Sequence, residues 1–288
     1  MATEPIWPGR FFCVHLRFSR GVVTIAVIVV VLAVAISFGL YQLLKRAKPL
    51  AVTEPGCVAL TKDQVALSLD VEQAQIAATI AAVAARRKLP ERAVVIAYAT
   101  ALQESKLFNV NYGDRDSVGV FQQRESQGWG TKKQIMDPVY SANKFFAALA
   151  KVKGYRKMPI ADAAQAVQRS AAGYAYAQHE HDARILAAAF TGRLPRAVHC
   201  VYPSDPGVTQ AARKARTREA RRQLTRALGS AAVTSEKRGW LIAAWSVAHA
   251  QEYGLSQVAY SGATWVNDVE TTGWKEGGKA GARQVELA

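Results

Sequence analysis

The pattern of apolar and polar positions changes period several times along the chain. Residues 21–44, "GVVTIAVIVVVLAVAISFGLYQLL", carry no charge, and Thr24, Ser37 and Gln42 are the only clearly polar side chains. A helix of that length reaches across a bilayer core. A buried core helix normally shows a polar face, and a cleaved signal peptide has an apolar core of only about 7–15 residues. The pattern therefore predicts an uncleaved transmembrane signal anchor over 21–44, with 1–20 cytoplasmic and 45–56 as a linker.

From Asp70 the period becomes helical. Asp70 and Gln73 stand as a capping box ahead of the alanine-rich "VEQAQIAATIAAVAARR". Pro90 opens a second helix, in which Val94, Ala97, Tyr98, Ala101 and Leu102 recur at i, i+3, i+4, i+7 and i+8 as one buried stripe. Glu104 lies just off that stripe at the helix end. Residues 109–130 hold four glycines and no sustained period, which predicts a loop with a short hairpin or helical turn around "SVGVFQQ". Asp137-Pro138 restarts a helix as N-cap and first-turn proline. Two more helices are expected over about 160–171 and 174–190, the second stopped by Gly192 and Pro195. Residues 57–200 thus read as one compact, mainly helical domain.

The pattern beyond 208 differs. Residues 211–226, "AARKARTREARRQLTR", carry seven Lys/Arg against one Glu. The helical "EKRGWLIAAWSVAHAQEY" ends at Gly254, and β-rich runs follow around Ser261-Gly262 and Gly277-Gly278, as in a hairpin or three-stranded sheet. The expected fold class is mainly α: a helical domain behind a transmembrane helix, with a separate small α+β module at 208–288.

Charge and cysteines change the picture in two ways. The formal charge of +15 implies an anionic partner such as nucleic acid, a membrane face or an acidic wall polymer. Arg10, Arg17 and Arg20 before the apolar span nearly balance Lys45, Arg46 and Lys48 after it, so flanking charge leaves the orientation open. The three cysteines are Cys13, Cys57 and Cys200, and no cysteine lies among the 142 residues between the last two. That bracketing predicts a Cys57–Cys200 disulfide in an oxidising, extracytoplasmic compartment, the alternative being two buried free thiols.

A general acid for glycoside cleavage needs a carboxyl group held protonated near neutral pH, which apolar walls favour by disfavouring its charged form. Glu104 follows Tyr98, Ala101 and Leu102, and Leu107 and Phe108 come just after it. "ESKLFN", followed twelve residues later by "SVGVFQQ", resembles the paired Glu-Ser and Gly-Leu-Met-Gln motifs of soluble-lytic-transglycosylase-like domains. That family has a lysozyme-like fold and cleaves peptidoglycan. The longer "YGDRDSVGVFQQR–SQGWGT–QIMDPVY–A–KF" is similar to an extracellular, actinobacterial version of the domain.

The resemblance covers roughly residues 71–189. It implies that Glu104 is the catalytic acid/base, that Ser105 supports it, and that Ser117, Gly119, Phe121 and Gln122 form the loop lining the sugar cleft. The family's Ala-Tyr-Asn motif has two partial matches in "SAAGYAYAQHEHDARIL", Tyr174 and Tyr176, neither followed by Asn; Tyr176 heads the regular part of that helix and is the preferred match. Val110 stands where the family commonly has proline, and Val-Phe-Gln where it has Leu-Met-Gln.

The implied reaction cuts the bond between N-acetylmuramic acid and N-acetylglucosamine with one carboxyl group, whereas hydrolysis uses two. Asp114, Asp116, Glu125 and Asp137 are the candidates for a second, against their ordinary roles as turn and cap residues. A hydrolytic lysozyme, and a non-catalytic wall-binding or assembly protein including a conjugation or secretion accessory, are the alternative functions. His179 and His181 in "HEHD" point to different sides of a helix, no Cys/His set has zinc spacing, and phosphate-loop and dinucleotide fingerprints are missing, so neither metal nor cofactor is expected. The expected partners are peptidoglycan glycan strands and the membrane through 21–44. The C-terminal module is expected to meet anionic wall polymers or a membrane or secretion protein, and no specific nucleic acid.

Overall fold

A computed structural model of the chain describes residues 20–46, 55–169, 173–203, 209–267 and 273–288. Residues 1–19 of the expected N-terminal segment, Cys13 among them, and most of the linker fall outside them. The chain forms two units, Met1–Val52 and Thr53–Ala288.

The described residues of the first unit form α1 (Arg20–Arg46), a helix of 27 residues. Ile25, Val30, Val34 and Ile36 each expose more than half of their surface. Among the described residues no helix is long and apolar enough to cross a membrane, and several α1 side chains, those of 40–46 included, lie outside the description.

The second unit mixes helices with small antiparallel sheets; about 53% of the described residues are helical. It opens with β1 (Gly56–Leu60) and β2 (Ala66–Leu69), two strands that the mainly α expectation lacked. The antiparallel β1–β2 hairpin is short, and the other neighbour of β1 is β5 (Val198–Val201), some 140 residues away. The sheet order is β2-β1-β5. Cys57 and Cys200 are register partners across β1 and β5, with Cα atoms 4.0 Å apart, and their sulfurs are bonded. The disulfide therefore clasps the two ends of the helical segment.

Between the clasped strands, α2 (Val71–Arg86) starts where Gln73 Oε1 accepts from the Asp70 N–H at 2.8 Å. Its ten buried residues are mostly alanine, and α2 packs against five other helices; small side chains let helix axes approach closely. Next comes α3 (Glu91–Ser105), capped by Pro90. The polar loop carries a minimal hairpin, β3 (Ser117–Val118) with β4 (Gln123–Arg124), and a 3-10 turn at Glu125–Gln127. Then follow α4 (Lys132–Ile135), α5 (Pro138–Leu149) and α6 (Ile160–Gln168). Asp137 Oδ1 accepts from the N–H groups of Val139 and Tyr140 at 3.0 and 3.4 Å, the N-cap that the Asp-Pro pair predicted. The helix expected over 174–190 is divided: a 3-10 helix, Gly173–His179, precedes α7 (Glu180–Phe190).

The segment beyond 208 adds α8 (Gln210–Leu228), α9 (Glu236–Ala248), α10 (Ala250–Tyr253), β6 (Gln257–Tyr260), β7 (Ala263–Val266), β8 (Trp274–Glu276) and β9 (Glu286–Leu287). Its sheet has four strands, β8-β7-β6-β9. Ser261 and Gly262, both at positive φ (49° and 77°), make the two-residue turn of the β6–β7 hairpin, as type I′ turns require. Rather than standing apart, this segment shares one hydrophobic core with 57–200. Every residue of α9 from Gly239 to Ala248 is buried, because the helix is apolar on all sides and lies between α2, α7, β5 and β6.

The exposed edge of β5 is also covered. Trp265 Nε1 donates to the Cys200 carbonyl at 3.1 Å and Trp274 Nε1 to the Val198 carbonyl at 2.9 Å. Asn267 Oδ1 accepts from the Tyr202 N–H at 3.0 Å, and the Tyr202 hydroxyl, its pKa raised by burial, reaches the Val247 and Ala248 carbonyls. An open strand edge is a pairing hazard, and here the second sheet satisfies it through side chains.

Candidate active site

Glu104 sits in the last turn of α3, half-buried. Just after it the chain reverses: Lys106 and Leu107 both take positive φ, 58° and 65°, and the Leu107 N–H returns to the Ala101 carbonyl at 3.1 Å. Two left-handed non-glycine residues cost about 1–3 kcal/mol each. The turn brings Leu107 fully into the core and frees the Lys106 carbonyl, which accepts from Gln73 Nε2 at 2.7 Å. It also sends the following loop back across the end of α3.

Two groups fix Glu104 and its neighbour. The Tyr176 hydroxyl, from the 3-10 helix, donates to Glu104 Oε1 at 2.7 Å, while the rest of Tyr176 is 1% exposed. Of the two tyrosines weighed from sequence, Tyr176 is thus the one in contact with the carboxylate; the Tyr174 side chain lies outside the described residues. The Ser105 hydroxyl lies 2.8 Å from the Val120 carbonyl and 3.2 Å from that of Ala101, tying the helix end to the loop.

The loop folds on itself. Ser117 Oγ lies 3.0 Å from Gln122 Oε1 and 2.7 Å from the Asp114 carbonyl, while Gln122 Nε2 donates to the carbonyls of Gly119 and Tyr112 at 3.2 and 3.3 Å. Gly113 is required by space, since a Cβ there would meet Gln122 Oε1 at 1.9 Å. Gly119 is required by conformation, with φ 79° and the Ile135 carbonyl 3.0 Å from where a Cβ would stand. Phe121 is a core residue: fully buried, its ring stacks on Phe145 with centroids 4.5 Å apart. Of the four loop residues assigned from sequence to the cleft wall, only Gln122 keeps partial exposure.

Sequence reasoning passed over several residues around this site. Gln168 Nε2 donates to the Phe121 carbonyl at 2.8 Å. Gln103, beside Glu104, accepts from Gln178 Nε2 at 3.1 Å and lies 3.0 Å from His179 Nε2. Burial, and then the charge of Lys106, lower the His179 pKa. Glu72 Oε1 accepts from the Asn109 N–H at 2.9 Å, and Asn109 Nδ2 donates to the Met136 carbonyl at 2.8 Å. Tyr112, on the loop beside Gln122, is 72% exposed. Only Tyr112 carried a local signal, an aromatic in a polar glycine-rich loop; the others are brought in by tertiary contacts.

Three of the four other candidate carboxylates have structural partners. Asp116 Oδ1 accepts from Arg124 Nε at 2.6 Å and its Oδ2 from the Ser126 N–H at 2.8 Å, bonds that hold its carboxyl well below the usual range. Glu125 Oε2 caps α4 at the Lys132 N–H, 2.9 Å away. Asp137 caps α5 and pairs with Arg226. Asp114 is almost fully exposed, 3.8 Å from Arg115. Among the described residues no group of three or more His, Cys, Asp or Glu side chains is placed to hold a metal ion. No protein-family model matches the chain, and no curated protein matches it.

Proposed function

We propose that the chain is an extracytoplasmic, membrane-anchored enzyme that cleaves the glycan strands of peptidoglycan as a lytic transglycosylase. The observation that carries the reading is the 2.7 Å hydrogen bond from Tyr176 to Glu104. It joins the residues that two separate motifs of the resemblance single out, 72 positions apart, and a solvated surface carboxylate has no need of a buried phenol. Glu104 donates its proton to the glycosidic oxygen as the bond to the muramyl C1 breaks. The carboxylate then takes the proton of the muramyl 6-hydroxyl, whose oxygen bonds to C1. The product is a 1,6-anhydro ring, no water is consumed, and Glu104 ends protonated as it began.

In this scheme Tyr176 steadies the carboxylate while it is charged, Ser105 keeps the helix end against the loop, and Gln122 braces the loop whose exposed Tyr112 offers an aromatic face to the sugar. The structural use of Asp116, Glu125 and Asp137 supports the one-carboxylate reaction over two-carboxylate hydrolysis. The charge-free run of residues 21–44 and the exposed apolar side chains of α1 support the anchor. The Cys57–Cys200 disulfide fits an oxidising compartment for the unit that follows. Incubation with purified peptidoglycan tests the activity: release of soluble anhydro-muropeptides is expected, and their absence from wild-type digests overturns it. Glu104→Gln is expected to leave the fold intact and release none.

A further inference from the structure

The segment beyond 208 creates a concave surface that the proposed reaction does not use. Where α8, α9 and α10 meet α2 and the start of α5, a cleft of about 380 Å³ opens, within the size range of small-ligand sites.

One wall is aromatic. Trp245, His249 and Tyr253 recur four residues apart and form a triangular cluster of nearly parallel rings, with the His249 ring 4.0 Å from that of Trp245 and 6.2 Å from that of Tyr253, and those two 6.0 Å apart. His249 is 6% exposed. Its Nδ1 lies 2.9 Å from the Trp245 carbonyl oxygen, so Nδ1 carries the ring proton and donates it. Nε2 is left as an acceptor without a partner among the described residues, on a ring that lines the cleft. Burial brings the His249 pKa down to about 4, so the ring is neutral at physiological pH.

The other wall is acidic. Asp137, Glu219 and Glu252 line the cleft; Asp137 pairs with Arg226, which also lines it, and Glu219 pairs with Arg222, so Glu252 adds net negative charge there in a chain of net charge +15. Hydrogen bonds from Arg222 and Gln223, both 2.8 Å, keep Glu219 ionised. Carboxylates gathered in a cleft focus the potential there.

We infer that this cleft binds a primary ammonium group on a short aliphatic chain. The carboxylates supply charge and acceptors, His249 Nε2 accepts one N–H, and the aromatic cluster offers an apolar face for the methylenes. In a wall-cleaving enzyme such a group is the free amine of an uncrosslinked wall peptide, and only that last step rests on the function proposed above.

The test is calorimetric titration of the full-length protein in detergent with Nα-acetyl-lysine amide, and with the same molecule acetylated at Nε. Saturable binding of the first and none of the second, each at up to about 20 mM, is expected for a weak small-molecule site. Glu252→Gln, a change at an exposed position, and Glu219→Gln are each expected to weaken binding about fivefold. Glu104→Gln is expected to bind like wild type, which separates failure here from failure of the cleavage reading. Equal binding of both probes, no binding of either, or indifference to both carboxylate changes overturns the proposal.

Discussion

Replacing Tyr176 with phenylalanine removes one oxygen from the site and leaves the ring that fills the core. The hydroxyl is 2.7 Å from Glu104 Oε1, on a side chain with 1% exposure, so water cannot replace it without opening the packing. A hydrogen bond to a charged acceptor contributes about 1.5–3 kcal/mol. In the proposed reaction the bond is strongest while Glu104 is a carboxylate, after it has given its proton to the leaving oxygen, so most of that energy falls on the barrier. The expected loss in turnover is about 10- to 150-fold. The assay is the initial rate of muropeptide release from purified peptidoglycan, with thermal unfolding of the variant measured alongside. Tyr176→Phe with the wild-type rate and wild-type melting temperature would refute the role given to this contact. A lower melting temperature with an unchanged rate would refute it as well, because the phenol would then serve packing alone.

Other expectations follow from the same contacts. The disulfide closes a loop with a sequence separation of 143, so its reduction is expected to cost about 5 kcal/mol in the chain-entropy model, read as a fall in the guanidinium midpoint; an unmoved midpoint contradicts a structural clasp. Gly119→Ala places a side chain at φ 79° against the Ile135 carbonyl, with an expected cost of about 1–3 kcal/mol and loss of glycan cleavage through displacement of Gln122. Burial lowers the pKa of His249 to about 4 and also lowers those of His179 and His199. A folded state that resists protonation loses stability as pH falls below the unfolded histidine value of about 6.5. For His249 the loss runs down to about pH 4 and amounts to about 3 kcal/mol. His249→Phe is expected to flatten part of that pH profile in equilibrium unfolding, and an unchanged profile contradicts the buried neutral ring.

Where helix signals were local, the sequence was readable. Asp70 with Gln73, Pro90, and Asp137 with Pro138 each start a helix at the place their chemistry dictates, and the apolar stripe from Val94 to Leu102 put Glu104 at a helix end. The strands β1, β2 and β5 were not readable. Each has four or five residues, and β1 finds its second partner only when the chain closes, so no local period marks it. The cysteine spacing carried the long-range information instead, pairing Cys57 with Cys200 before any strand was apparent. The C-terminal segment is hidden for the same reason: α9 is apolar all round, a pattern that needs neighbours on every side, and those neighbours include α2 and β5. Motif resemblance singled out Glu104 and Tyr176, which the fold brings into contact, whereas Phe121 shared the motif but belongs to the core, a distinction that only packing against Phe145 decides.

The most direct test of the central claim is mass spectrometry of the glycan ends released from purified peptidoglycan by the wild-type protein and by Glu104→Gln. 1,6-Anhydro-muramyl ends are expected from the wild type and no release from the variant. Reducing ends from the wild type, or equal release by both proteins, would contradict that claim.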